Sequence, residues 1–465
     1  MKIEKLLADY IIGLRYEEIP PSVVEATKAQ TLNIISAAIG GSTASGIKEL
    51  VGLLKEWGGK QESTVMAYGY KIPALHAAQA NASMAHALDF DDTYSKIMLH
   101  SAAVAVPPAL SVAEMRDGVT GKEFITAVTL AVDLGCRMCL VLKAPPGGKE
   151  QLAWQSWHFT TLFGYFMSAA AAGRLLKLDQ EKMMNALGLA YHQAAGNLQS
   201  GREGAQAKRL GPGFACRGGV AAALMAQRGN TGAKNFIEGE VGFYGLYHPQ
   251  SRYCDLTKLT MNLGQQFENE DISLKPYPCG VFNHTAIDAA LAITIKEDIK
   301  PDDVAEITVF TGEGGRFLCN PLEVKRHPKN AVDTQFSIPW SVATAIAKRR
   351  ASVWDYSDEA ASDPLMHKLT NKIDVTIDPA LTGGSIEPTR VRIRTIGGRE
   401  FINQVDIPLG TPQNPFGPAD VKRKLADCNA VSIKPLTDEN IDKLILAVGR
   451  LEEMEDVNQV IRLLG

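Results

Sequence analysis

The crowding of alanine and glycine into helix-like stretches constrains this chain more than any other feature. MSAAAAGRLL, MMNALGLAYHQAAG and AALMAQRG string Ala, Leu and Gly together. Such residues favour helices with smooth faces, which pack closely on one another. PPSVVEATKAQTLNIISAAIGG opens on proline, runs with apolar residues at helical spacing and stops at Gly40-Gly41. Residues 45–57 show the same pattern and end before Gly58-Gly59. Helix signals dominate to about residue 265.

The pattern changes near residue 270. DVAEITVFTGEG reads as a strand after a short helix, and VRIRTIGGREFINQVDI alternates around a Gly-Gly turn, a hairpin signature. FSIPWSVATAIAKRR, between them, reads as a helix. GPADVKRKLADCNAV and DENIDKLILAVGRLEEM return to helix. The expectation is a mainly α, α+β protein: a helical domain over residues 1–267, an α+β domain over 268–408, and C-terminal helices over 409–465 that rejoin the helical domain.

Composition narrows the function. With 465 residues, 45% hydrophobic and 22% charged, the chain can build two or three domains with large cores. A formal net charge of -4, with no basic run, argues against a nucleic-acid partner. Seven scattered cysteines point to a reducing compartment, so a cytoplasmic location is expected. MKIEKLLADYIIGL has acids inside its apolar stretch and reads as an amphipathic helix rather than a signal peptide. The longest apolar stretch, residues 124–142, carries Asp133 and Arg137 one helical turn apart. It reads as a buried core helix with an internal ion pair, not a membrane span.

Four segments hold chemistry-bearing residues. The first, residues 85–109, contains Asp89, Asp91, Asp92, Thr93, Tyr94, Lys96 and His100. Acids after an Ala-rich helix fit capping and turns, a divalent-metal site through Asp89, Asp92 and His100, or an acid–base site. The second, WQSWHFTTLFG, sets His158 among aromatic residues, as a core histidine or a proton carrier. The third, residues 201–229, places Arg202, Lys208, Arg209 and Arg217 among Gly and Ala, as a solvated basic face or as cations that hold carboxylates. The fourth, LKPYPCGVFNHTAIDAAL, carries Lys275, Cys279 and His284 before a helix, as a linker or an anion site. Other signals are weaker. Cys136 and Cys139 form a lone CxxC, GEGGR at 312–316 fails the dinucleotide fingerprint, and GGK at 147–149 lacks the rest of a P-loop.

Together these segments resemble the MmgE/PrpD family, through HALDFDDT, LHSAA, WHFTTLFG, AKRLGPGFACRGGVAAALMAQRG, KPYPCGVFNHTAIDAAL and DTQFSIPWSVATAI, in the family's order. The resemblance implies a large helical domain with a smaller α+β lid. It also implies a homodimer that needs neither metal nor organic cofactor, and a small polycarboxylate substrate. Carried over by position, the catalytic residues are His100, His158, Asp89 and Lys208, and the substrate-binding residues are Thr93 and Lys275, joined by Arg209, Tyr94 and His284. The sequence departs from the family where Tyr94 and Gly211 stand in place of histidines, and where Gly280 stands in place of a decarboxylase-branch histidine. The expected chemistry is proton abstraction next to a carboxylate. His100 or His158 moves the proton, Asp89 orients an imidazole, and Lys208, Lys275 and Arg209 stabilise the charge. Dehydration is the leading expectation, with epimerisation, decarboxylation or carboxylate binding without catalysis as alternatives.

Overall fold

A computed structural model of the chain describes residues 2–143, 156–248, 253–383 and 386–464. GGK at 147–149 and the first two residues of WQSWHFTTLFG lie outside the described residues. The chain divides into two compact units. One comprises Met1–Ala87, Asp91–Ile272 and Cys428–Gly465; the other comprises Leu88–Phe90 and Ser273–Asp427. The tripeptide Leu88–Phe90 thus leaves the first unit for the second and the chain returns at once.

The first unit is helical. Its middle is the helix Ala207–Gln227, which packs on Phe159–Leu175 and on Ala74–Ala87. Glycine makes these crossings tight. A Cβ added at Gly213 would lie 2.1 Å from Ser83 Oγ, and one at Gly219 would lie 2.5 Å from Ser168 Cβ. No side chain fits there, so the small-residue bias of the sequence is a packing requirement. Gly121–Leu140 begins with a capping box, in which Thr120 accepts from the Glu123 N–H. It is buried along nearly its whole length. Within it, Arg137 Nε donates to Asp133 Oδ2 at 2.6 Å. The Tyr10 hydroxyl and the Glu268 N–H complete the acceptor shell of Asp133 at 2.9 and 3.0 Å. A buried charge with this many partners is tolerated, whereas removing one partner costs about 3–5 kcal/mol. No helix among the described residues is long and apolar enough to cross a membrane.

The second unit is built on a four-stranded sheet ordered Ile373–Ile377, Val304–Thr311, Thr389–Thr395, Glu400–Val405. The first pair is parallel and the other two are antiparallel. The hairpin turns at Gly398, whose φ of 80° suits glycine. Alternation along Thr389–Thr395 sends Val391 and Ile393 into a core with Ile307, Val309, Ile287 and Trp340. The helices His284–Lys296 and Ile338–Lys348 cover that core. The sequence reading contained no strand at Ile373–Ile377. Its IDVTI alternation is short and half polar, and the parallel partner lies far upstream.

Candidate active site

The first unit gathers three imidazoles, two of which face one carboxylate. His86 is the penultimate residue of the helix Ala74–Ala87. Its Nδ1 lies 2.6 Å from Asp91 Oδ2, and both side chains are sealed from solvent. The other oxygen, Asp91 Oδ1, lies 3.3 Å from His100 Nδ1. His100 is 12% exposed at its side chain, so it is the ring of this pair that opens outward. Its Nδ1 is 2.6 Å from the Asp92 carbonyl. A carbonyl only accepts, so Nδ1 carries the hydrogen and the neutral ring has its lone pair on Nε2. The His100 backbone N–H donates to Thr160 Oγ1 at 2.9 Å, which joins this loop to the start of the helix Phe159–Leu175.

His158 immediately precedes that helix, with Nδ1 2.6 Å from Thr161 Oγ1. The His86 ring centroid lies 4.9 Å from that of His100 and 5.4 Å from that of His158. Thr93 is buried, with Oγ1 3.5 Å from His100 Nδ1. Asp92 plays a different part from Asp91. Its Oδ2 accepts from Ser101 Oγ at 2.8 Å and from the Ala102 N–H at 3.0 Å, the capping role expected of an aspartate here. Burial, and then the neighbouring Asp91 charge, push its carboxyl up to about 6.

The remaining sequence-predicted residues of this unit have contacts of their own. The Tyr94 hydroxyl donates to Glu268 Oε2 at 2.7 Å inside the core, and Lys96 bridges Glu268 and Asp271. Burial first, then Cys136 and Glu268, hold that phenol protonated. Lys208 is half-buried at the second position of its helix. Arg209 is buried and donates to the Ser45 carbonyl at 3.1 Å. Two residues on, a Cβ at Gly211 would lie 2.4 Å from Thr161 Oγ1 and 3.3 Å from His158 Nδ1. Glycine at 211 and the His158–Thr161 hydrogen bond therefore depend on each other.

The second unit holds a buried lysine–aspartate ion pair. Lys275 Nζ donates to Asp89 Oδ2 at 2.7 Å and to the Asp89 carbonyl at 3.0 Å. Asp89 has a φ of 53°, a left-handed conformation that a short polar side chain tolerates, and it turns carbonyl and carboxylate onto the same ammonium. Lys424 donates to the carbonyls of Phe90 and Lys275 at 2.6 and 2.8 Å and lies 3.8 Å from the Phe90 ring centroid. Gln335 Nε2 donates to the Leu88 carbonyl at 2.9 Å. Together these bonds fasten Leu88–Phe90 to its unit. His284 is buried, and burial followed by the Lys275 charge pulls its imidazole down to about 3, so the ring is neutral.

The structure thus brings His100, His158 and Thr93 together in one unit, and Lys275, Asp89 and His284 together in the other. Asp89 pairs with Lys275, where the sequence reading had it orient an imidazole; Asp91 faces the rings. Sequence reasoning did not single out His86. The signal was the His of HALDFDDT, five residues before Asp91. The metal set Asp89, Asp92 and His100 is replaced by different contacts, since Asp89 is bonded to Lys275 and Asp92 to Ser101 and Ala102. His86, Asp91 and His100 do offer ligand atoms within 4.8 Å of one another. However, two donors on one tetrahedral ion stand about 3.3 Å apart, given ligand distances of about 2.0–2.1 Å. The 2.6 Å between His86 and Asp91 is a hydrogen-bond length.

Buried imidazoles sharing a carboxylate, with one ring partly open, define a candidate acid–base site on a helical body. Two family models match this chain: the MmgE/PrpD N-terminal domain over residues 5–253 and the MmgE/PrpD C-terminal domain over residues 277–448. The chain belongs to the MmgE/PrpD family. It is 25% identical to a cis-aconitate decarboxylase of Aspergillus terreus, over 97% of this chain and 94% of that protein. It is 23% identical to the cis-aconitate decarboxylase of Homo sapiens, over 99% and 94%. It is 25% identical to the 2-methylcitrate dehydratase of Escherichia coli K12, over 62% of this chain and 61% of that protein.

Proposed function

We propose that this chain is a lyase of the dehydratase type. It acts on a small di- or tricarboxylate and moves a proton at the carbon next to a carboxylate. The observation that carries this reading is the tautomer of His100. Its Nδ1–H is committed to the Asp92 carbonyl, leaving Nε2 as the basic atom on a ring with 12% exposure. A positioned, partly exposed imidazole with its lone pair on Nε2 is suited to general-base chemistry. His158 is the second proton carrier, returning a proton to the departing hydroxyl or to the product carbon. Lys208 supplies cationic charge for the substrate's carboxylates as the carbanion develops.

Decarboxylation is the second reading. It is favoured by the cis-aconitate decarboxylases, which match nearly the full chain, whereas the 2-methylcitrate dehydratase match covers 62% of it. In that reaction carbon dioxide leaves with the bond pair on carbon, and an imidazole then protonates the carbon. We further propose a cytoplasmic homodimer that uses no metal or organic cofactor. The test is incubation of the purified chain with 2-methylcitrate, citrate, cis-aconitate and related acids, followed by proton NMR and carbon dioxide release. A new alkene with no gas supports dehydration, and gas with a decarboxylated product supports the second reading. Binding of these acids with neither outcome contradicts both.

A further inference from the structure

Asp91 and Asp92 are neighbours, yet their carboxylates serve different ends. Asp92 accepts a backbone N–H and a serine hydroxyl, so the local turn is already capped. Asp91 is fully buried and faces imidazoles from both of its oxygens, His86 at 2.6 Å and His100 at 3.3 Å. Among the described residues Asp91 Oδ1 has no hydrogen-bond partner of ordinary length. Burying a carboxylate without backbone donors is costly, and such a group needs an explanation other than chain reversal. His86 is sealed at 0% side-chain exposure, while His100 is open at 12%. The order from inside to outside is therefore His86, Asp91, His100.

We propose that His86 and Asp91 are positioning residues for His100: His86 fixes the plane of the Asp91 carboxylate through Oδ2, and Oδ1 steadies His100 when it holds the substrate's proton. This rests on the reading of His100 as the proton carrier. The Nδ1–H of His100 lies against the Asp92 carbonyl and the Asp91 carboxylate, so the ring gains and loses its proton at Nε2. An anion at 3.3 Å favours the imidazolium that forms during abstraction. Titratable groups around this cluster include the Asp92 carboxyl on the same loop, His158 ahead of the helix Phe159–Leu175, and the Cys136 thiol of Gly121–Leu140, which feels the Asp92 charge. Thr160 of the Phe159–Leu175 helix contributes only a hydroxyl.

The experiment uses the full chain with Asp91→Asn, His86→Leu and His86→Asn. The last retains a donor near the position of Nδ1. Steady-state kinetics on the acid turned over by the wild type, and NMR titration of nitrogen-15 histidine, give independent readouts. Asp91→Asn is expected to lower kcat about 100-fold with KM changed by less than about threefold. It should also move both the acid limb of the kcat profile and the His100 titration midpoint to lower pH, by about one unit or more. His86→Leu should lower kcat about tenfold, and His86→Asn should recover most of that loss. A folded Asp91→Asn chain with kcat within about twofold of wild type, or with an unmoved His100 midpoint, overturns the proposal. Equal activity of His86→Leu and wild type overturns it even if Asp91→Asn fails to fold. If the wild type turns over none of the acids, the lyase reading fails. The titration needs no substrate, and it still decides whether Asp91 and His86 govern His100.

Discussion

Asp89→Asn isolates the charge of one buried carboxylate. Lys275 and Asp89 are 2% and 3% exposed, and the ammonium reaches the carboxylate at 2.7 Å. Asparagine keeps an acceptor near the same place and tolerates the left-handed φ of 53°, so neither shape nor backbone changes. The Asp89 carbonyl still accepts at 3.0 Å, and Lys424 still holds the Phe90 and Lys275 carbonyls. What is lost is the compensation of a buried cation. Removing one partner of a buried pair costs about 3–5 kcal/mol, and the retained neutral acceptor puts this variant near about 3 kcal/mol. Asp89→Ala should cost about 1–2 kcal/mol more, from the left-handed backbone. Adding Lys275→Met to Asp89→Asn removes the stranded charge, so the double variant should be more stable than Asp89→Asn alone. Urea unfolding of the full chain, followed by tryptophan fluorescence and circular dichroism, measures each difference. An Asp89→Asn loss below about 1 kcal/mol, or a double variant no better than the single, would refute the reasoning.

Asp92 and His284 give pH dependences of opposite sign. The Asp92 carboxyl rises from 3.8 to about 6 on folding, so the folded chain binds the extra proton and stability falls as pH rises through that window. Relative to wild type, Asp92→Asn should gain up to about 3 kcal/mol between pH 4 and pH 7, and a pH-independent difference would contradict the assignment. His284 falls from 6.5 to about 3, so the unfolded chain binds the extra proton and stability is lost as pH drops below 6.5. His284→Gln should remove about 3 kcal/mol of that acid sensitivity, read by denaturant midpoints from pH 7 to pH 4. Lys208→Ala should raise the activation barrier by about 1.5–3 kcal/mol with little change in the thermal midpoint, and unchanged turnover would remove it from the site.

What could be read in the sequence was local. Asp133 and Arg137 stand four residues apart in an apolar run, so helix geometry alone pairs them. The Gly-Gly turn and its flanking alternation suffice for the hairpin Thr389–Thr395 and Glu400–Val405. His100 and His158 stood out because each lies in an unusual setting, one after a cluster of acids and one among aromatic rings. His86 did not, because an imidazole inside an Ala-rich helix reads as core and its partner Asp91 lies beyond the helix end, off the helical period. Tyr94 read as substrate-facing from its place after DFDDT. Its hydroxyl partner, Glu268, is 174 residues away, a distance no spacing rule spans. Nor does any local pattern announce that Leu88–Phe90 belongs to a different unit from the residues on either side.

The central claim is that an imidazole pair moves the proton next to a carboxylate without help from a metal. The direct measurement is proton–deuterium exchange and elimination in deuterated water, with the chelator-stripped chain and a panel of di- and tricarboxylates, for wild type, His100→Gln and His158→Gln. The account predicts exchange or product formation by the stripped wild type, and a loss of about 10²–10⁴-fold in at least one histidine variant that still binds the acid. Full activity in both variants, or activity that vanishes with the chelator and returns with a divalent ion, would contradict it.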